Sequence, residues 1–141
     1  MYTMYRKSYK IECRRCSGFS LMELMIAVVI VGILAAIAMS SYQSSVIRSR
    51  RSAAAACLQE GAQTMERYYT INTTYVGASM GTCSADVANF YTFSSGTPTA
   101  TGFTLRAAPG TRQNDSACGT LTINQLGVRG ASGTAGASQC W

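Results

Sequence analysis

Gly18-Phe19-Ser20-Leu21-Met22-Glu23, which runs without a break into the uncharged segment Leu24 to Met39, decides how the rest of this chain of 141 residues is read. Phe19 to Leu21 extend the apolar segment toward the roughly 20 residues that a bilayer-spanning helix requires. Glu23 is the single interruption. A carboxylate that deep in an apolar segment costs about 2.5–3.5 kcal/mol on insertion scales, so it calls for a partner or a role. A carboxylate there also suits a helix N-terminus.

Charge is distributed around this segment unevenly. Arg6, Lys7, Lys10, Arg14 and Arg15 precede it against one acid, Glu12, whereas the remainder has seven Arg and five acids. The basic balance is therefore mainly a property of residues 1–18, which read as a leader, and the excess of two beyond it does not by itself imply nucleic acid. Positive charge ahead of an apolar run predicts a cytoplasmic N-terminus and a translocated remainder, although Arg48, Arg50 and Arg51 on the far side reduce the asymmetry. A secretory signal would be cut after its apolar core; here the candidate site precedes it, so the helix would be kept. About 100 residues are left for one small domain.

From Phe19 to about Tyr69 the pattern predicts one long helix with two halves. The first is apolar all round, as in lipid or a protein bundle. In the second, Val46 and Ile47, Ala54, Cys57 and Leu58, Ala62, Met65 and Tyr69 recur at spacings near three and four, an apolar stripe able to carry a domain. Thr70 to Asn89 loses this periodicity and reads as a loop. Short alternating runs then follow at Phe90 to Phe93, Phe103 to Ala107 and Thr120 to Ile123, punctuated by Pro98, Gly102 and Pro109. They predict a three- or four-stranded antiparallel meander with one apolar face for the helix to cover.

The order Gly18, Phe19, Glu23 resembles the type IV pilin and pseudopilin family. The resemblance implies that a prepilin peptidase and methyltransferase cuts after Gly18 and N-methylates Phe19, and that Glu23 pairs with an N-terminal amine during filament assembly; such a cut would place a new positive charge on Phe19, one helical turn from Glu23. An uncleaved signal anchor with Glu23 near the headgroups is the bland alternative; the glycine, aromatic, acid and apolar run at the family's spacing favour the pilin. Met65-Glu66-Arg67-Tyr68-Tyr69, with Asn72 and Tyr75, is similar to the stretch that closes the family's long helix. By themselves these residues read as an amphipathic helix end, with a turn at Asn72. Ser40 stands where many pilins have a helix-breaking Pro, which leaves open whether the helix kinks there or near Gly32.

Cys13 and Cys16 have the spacing of a redox or zinc pair, but no second pair accompanies them and the chain has no His, so no metal is expected. Cys57, Cys83, Cys118 and Cys140 would all be translocated, where four cysteines suggest two disulfides with three connectivities open. Cys118-Gly119, the turn Asn124-Gln125-Leu126-Gly127 and the final Cys140-Trp141 resemble the PilE-type minor pilins, in which such residues bound a disulfide-closed region. Cys118 is expected to pair with Cys140, closing the C-terminal segment as that resemblance implies, and therefore Cys57 with Cys83, which would tie the helix to the following loop. The tract Ala131 to Gln139 is then a constrained surface loop rather than a flexible linker.

No His, P-loop or dinucleotide glycine pattern occurs, and the dispersed acids form no catalytic pair, so neither an enzyme nor a cofactor is expected. The triplets at Asn72 and Asn114 match an N-glycosylation pattern too common to carry a role. The expected fold is α+β: a long N-terminal helix packed on a small antiparallel sheet with a disulfide-closed C-terminal region. Its divisions are a cleaved leader at 1–18, a transmembrane and filament-core half at 19–41, and a globular domain at 42–141.

The expected function is a structural type IV pilus subunit, a minor pilin supporting assembly, twitching motility and adhesion. Its partners would be other pilins, the peptidase and the assembly machinery. It would sit in the bacterial inner membrane before assembly and in an extracellular filament afterwards. A major pilin and a type II secretion pseudopilin are the alternatives within the class. From another class comes a nucleic-acid-binding or adhesive tip module, its cue being Arg106, Arg112 and Arg129; exposed arginines on a solvated face are the bland reading of that cue.

Overall fold

The computed structural model describes residues 18–141; the rest of the expected leader, with Cys13 and Cys16, lies outside the described residues. Contacts divide the chain into two units, one ending at Met39 and the other spanning Ser40–Trp141. Helix α1, Leu21–Asn72, contributes to both. Its hydrogen-bonded pattern continues through Gly32 and through Ser40, where no proline removes an N–H donor.

In the first unit every helical residue from Leu21 to Met39 is exposed, and the helix is long and apolar enough there to cross a membrane. Among the described residues of that unit nothing else covers this surface.

In the second unit α1 buries Ala54, Ala55, Leu58, Gly61 and Met65, with Val46, Ile47 and Ala62 half-buried beside them. The expected stripe is thus present and widened by Ala55 and Gly61. A Cβ on Gly61 would stand 3.0 Å from Met80 Cβ and 3.1 Å from Leu105 Cδ1, so glycine lets the helix approach its neighbours closely. The helix ends with Asn72, whose Nδ2 donates to the Tyr68 carbonyl at 3.0 Å. The left-handed residue is Thr73, at φ 54°, one position beyond the expected turn.

Four strands follow: β1 Tyr91–Ser94, β2 Thr104–Pro109, β3 Leu121–Asn124 and β4 Arg129–Ala131. They form an antiparallel sheet in the order β1-β2-β3-β4, a meander, with Phe93 opposite Ala107, Leu105 opposite Ile123 and Leu121 opposite Ala131. Alternation gives the sheet its apolar face: Leu105, Ala107, Leu121 and Ile123 are buried, while Thr104 and Arg106 are exposed. That face packs with Leu58, Met65, Tyr75, Tyr91 and Phe103 in one core.

Two short helices, α2 Ala85–Ala88 and α3 Ala137–Cys140, occupy stretches expected to be loop, and β4 enters the tract expected to begin as linker. Four residues are too few to show a helical period.

Cys118 is bridged to Cys140, as the C-terminal resemblance implies, and the structure joins Cys57 to Cys83. The C-terminal segment is more than a covalently closed loop. Ser132 N–H donates to the Thr120 carbonyl at 3.0 Å, Gly133 N–H to the Cys118 carbonyl at 2.9 Å and Ala135 N–H to the Ala117 carbonyl at 2.9 Å. A Cβ on Gly133 would fall 2.2 Å from the Ala117 oxygen, so only glycine permits this approach.

Candidate functional site

Gly18 and Phe19 precede α1 and are exposed, and Glu23 lies in its first turn. The helix begins with Leu24 N–H donating to the Ser20 carbonyl at 3.1 Å. Ser20-Leu21-Met22-Glu23 also has the residue order of a capping box, so a local helix-starting use of Glu23 coexists with any assembly role. The segment offers a terminal residue, an acid one turn on and then an uninterrupted apolar surface. Chemically it can bury itself among other apolar helices, and its one polar requirement is a cation for Glu23.

In the second unit the polar centre is a cluster absent from the sequence reading. Arg51 Nε stands 3.1 Å from Asp115 Oδ2 as an ion pair whose angle falls short of a hydrogen bond. Arg51 Nη1 contacts Cys118 Sγ. Tyr91 donates its hydroxyl to the same Asp115 oxygen at 3.1 Å. Gln113 Nε2 reaches both the Ile47 carbonyl at 3.0 Å and the Tyr91 oxygen at 3.2 Å. Gln113 and Asp115 are buried, so this pair of contacts pins the loop between β2 and β3 onto α1. Burial, and then the Asp115 charge, push the Tyr91 hydroxyl up to about 12, against the hydrogen bond from Gln113. Arg51 could have been found: Ile47, Arg51, Ala54, Ala55 and Leu58 share one helical face. Gln113 and Asp115 had no apolar period to betray them.

Glu66 accepts from the Tyr75 hydroxyl, at 2.9 and 3.0 Å to its two oxygens, and Tyr75 lies against Tyr69 and Phe103. Burial and the Glu66 hydrogen bond push Tyr75 up to about 12. The stretch from Glu66 to Tyr75 thus acts as a helix end bonded into the core.

Arg106, Arg112 and Arg129 are all exposed, but they line three different clefts, beside Thr99, Tyr42 and Gln59 respectively. The fold does not gather them into one pocket. Arg129 rests over the Trp141 ring at 5.3 Å, and Trp141 Nε1 donates to the Gly130 carbonyl at 2.9 Å. Among the described residues no group of His, Cys, Asp and Glu is placed to hold a metal ion.

Residues 40–122 match the family described as "Type IV minor pilin ComP, DNA uptake sequence receptor". The chain belongs to the type IV minor pilin family. A prokaryotic N-terminal methylation motif matches residues 13–39 of this pilin. The pilin is 36% identical to a type IV pilin from Shewanella oneidensis, with a TM-score of 0.54 over 67% of this chain and 97% of that one. It is 30% identical to PilV, a non-core minor pilin of Neisseria meningitidis, with a TM-score of 0.49 over 64% of this chain and 90% of that one. A "Probable minor fimbrial protein" of Dichelobacter nodosus is 40% identical over 63 residues, which is 37% of this chain. The match spans 40% of that relative's length. Pilins are structural subunits and not enzymes. The methylation motif implies processing by a prepilin peptidase and assembly with other pilins, and with the apolar helix it is consistent with membrane anchoring beforehand.

Proposed function

We propose that this pilin is stored in the bacterial inner membrane with its N-terminus in the cytoplasm, cut after Gly18, N-methylated on Phe19 and drawn into an extracellular type IV pilus as a minor subunit. In this reading residues 1–18 are removed, 19–41 enter the filament core and 42–141 form the globular domain. The Glu23 carboxylate meets the N-terminal amine of a neighbouring subunit, an attraction strengthened by the apolar surroundings of the helix bundle. The observation that supports the reading is the methylation motif over 13–39 coinciding with a wholly exposed apolar helix that starts beside Gly18 and Phe19. Through the filament the subunit supports twitching motility and adhesion.

Quantitative mass spectrometry of sheared filaments tests this. A methylated peptide beginning at Phe19, at trace abundance relative to the dominant subunit, is the expected result. Dominance would make the chain a major pilin, and retention of Met1 to Gly18 in the membrane would restore the signal anchor. Glu23→Ala should insert into the membrane normally yet fail to enter filaments; normal incorporation would remove the assembly role of Glu23.

A second reading, capture of DNA, is favoured by the description of the family that matches residues 40–122. Exposed Arg106, Arg112 and Arg129 would neutralise phosphates along a duplex. Duplex binding by the full chain in neutral detergent that weakens steeply with salt would support it. An absence of binding at low salt would end it.

A further inference from the structure

Positive charge beyond a membrane span works against the asymmetry that orients it, so Arg48, Arg50 and Arg51 need a compensating use. Arg51 has one, the ion pair with Asp115, which is the sole salt bridge among the described residues. Arg50 has no ion pair among the described residues, and the fold sets it in a cleft of about 300 Å³ with Tyr42, Val46 and Ile47 of α1 and with Arg112 and Asn114 of the loop between β2 and β3. Among the described residues no carboxylate lines this cleft.

The cleft is built rather than incidental. Gln113 holds the loop to the Ile47 carbonyl, and burial alternates from Arg112 to Asp115, which leaves Arg112 and Asn114 outside. The Arg50 guanidinium lies 3.6 Å from the centroid of the Phe90 ring, so its position is fixed without its charge being cancelled. Tyr42, 68% exposed, follows Met39 within the first helical turn, where an aromatic residue with a polar tip suits a membrane interface. Arg48 and Arg50 follow within about three turns.

We propose that this cleft holds the phosphate of an anionic phospholipid headgroup while the subunit is stored in the membrane. Arg50 and Arg112 supply the cations, Asn114 an amide donor and Tyr42 the interfacial contact. Charge complementarity and the position of these residues directly after the apolar segment select a lipid over other anions, since a basic residue near an anionic bilayer is attracted to its surface. Assembly into a filament would vacate the cleft. The proposal rests on the membrane-storage reading above.

The test uses the full chain reconstituted in vesicles of phosphatidylcholine, with or without phosphatidylglycerol, and photoreactive analogues of each lipid bearing the reactive group near the phosphate. Cross-linked peptides are then mapped. The expected result is several-fold more labelling of peptides covering residues 40–51 and 110–116 by the phosphatidylglycerol analogue, falling to near equality in Arg112→Gln and in Arg50→Gln/Arg112→Gln. Arg112 is exposed and makes no ion pair among the described residues, so the single variant does not depend on refolding.

An inserted, carbonate-resistant chain with equal labelling by both lipids overturns the lipid site alone. Failure to insert overturns the membrane reading and the lipid site together. Equal labelling combined with duplex DNA binding lost in Arg112→Gln would assign the cleft to nucleic acid instead.

Discussion

The connection between α1 and β1 and the segment after β3 are both rich in Gly, Ser and Thr, and each is tied by one disulfide. Cys57–Cys83 spans 26 positions and Cys118–Cys140 spans 22. In a chain-entropy account, loops of such similar length restrict the unfolded state almost equally, by about 3.5 kcal/mol each. The folded surroundings differ. Cys118 and Cys140 are buried in the core, beside the Arg51–Asp115 pair, and three backbone hydrogen bonds zip Ser132 to Ala135 against Ala117 to Thr120. Cys57 and Cys83 are half-buried, and the connection touches the rest of the domain mainly through Tyr75, Ala78 and Met80. The same covalent device therefore completes a packed structure in one place and tethers a surface segment in the other.

The largest effect should come from removing the bridges separately. Cys118→Ala/Cys140→Ala is expected to lose about 5 kcal/mol and Cys57→Ala/Cys83→Ala about 3.5 kcal/mol in urea unfolding, because only the first pair also loses buried packing. Equal losses would erase the contrast.

A smaller step separates two glycines. Gly133→Ala must push against the Ala117 carbonyl and should cost about 2–3 kcal/mol. Gly81→Ala, at φ 81° with open space around it, should cost about 1 kcal/mol from backbone strain alone. Thermal melting of the two variants gives the order directly.

Alkaline titration probes one tyrosine on each side of the comparison. Tyr91 belongs to the cluster that contacts Cys118, and Tyr75 to the connection; both hydroxyls are pushed up from the usual 10 to about 12. Folding thus favours the neutral phenol. The associated stability is complete below pH 10 and is lost as pH rises through 12, an effect on the order of 2 kcal/mol for Tyr91 and smaller for Tyr75, whose hydroxyl meets the exposed Glu66 carboxylate where solvent screens the interaction. Tyr91→Phe and Tyr75→Phe should each flatten part of the fall in melting temperature between pH 10 and 11.5. If only one variant does, the other tyrosine is not held neutral by the fold.

The smallest expected change is at the end of the C-terminal segment. Arg129→Gln removes the cation above the Trp141 ring and should cost about 0.5 kcal/mol, while shifting the fluorescence of the chain's single Trp. An unchanged spectrum would mean that Trp141 is held by its bond to the Gly130 carbonyl alone.

Much of this architecture was legible in the residues. The long helix follows from an apolar run merging into a stripe at spacings of three and four, and the meander from alternation such as Leu105 and Ala107 against Thr104 and Arg106. The Cys118–Cys140 closure followed from a resemblance in the terminal residues. What escaped were elements too short or too polar to have a period: α2, α3, β4, and the cluster of Arg51, Gln113 and Asp115. Arg48, Arg50 and Arg51 look equivalent in one dimension, yet one is paired in the core, one lies over Phe90 and one faces solvent.

By itself the sequence determined the periodic features of this pilin: the helix, its exposed apolar half, its buried stripe and the alternation of the sheet. These follow from nearest-neighbour geometry, in which repeats of 3.6 and 2 place residues on a face regardless of what lies opposite. Only the tertiary structure decided which polar groups are buried and paired, because burying Asp115 or Gln113 is tolerable only once partners distant in sequence are in place. It likewise decided that Gly133 must be glycine, since the Ala117 carbonyl that excludes a side chain there arrives only when the segment folds back.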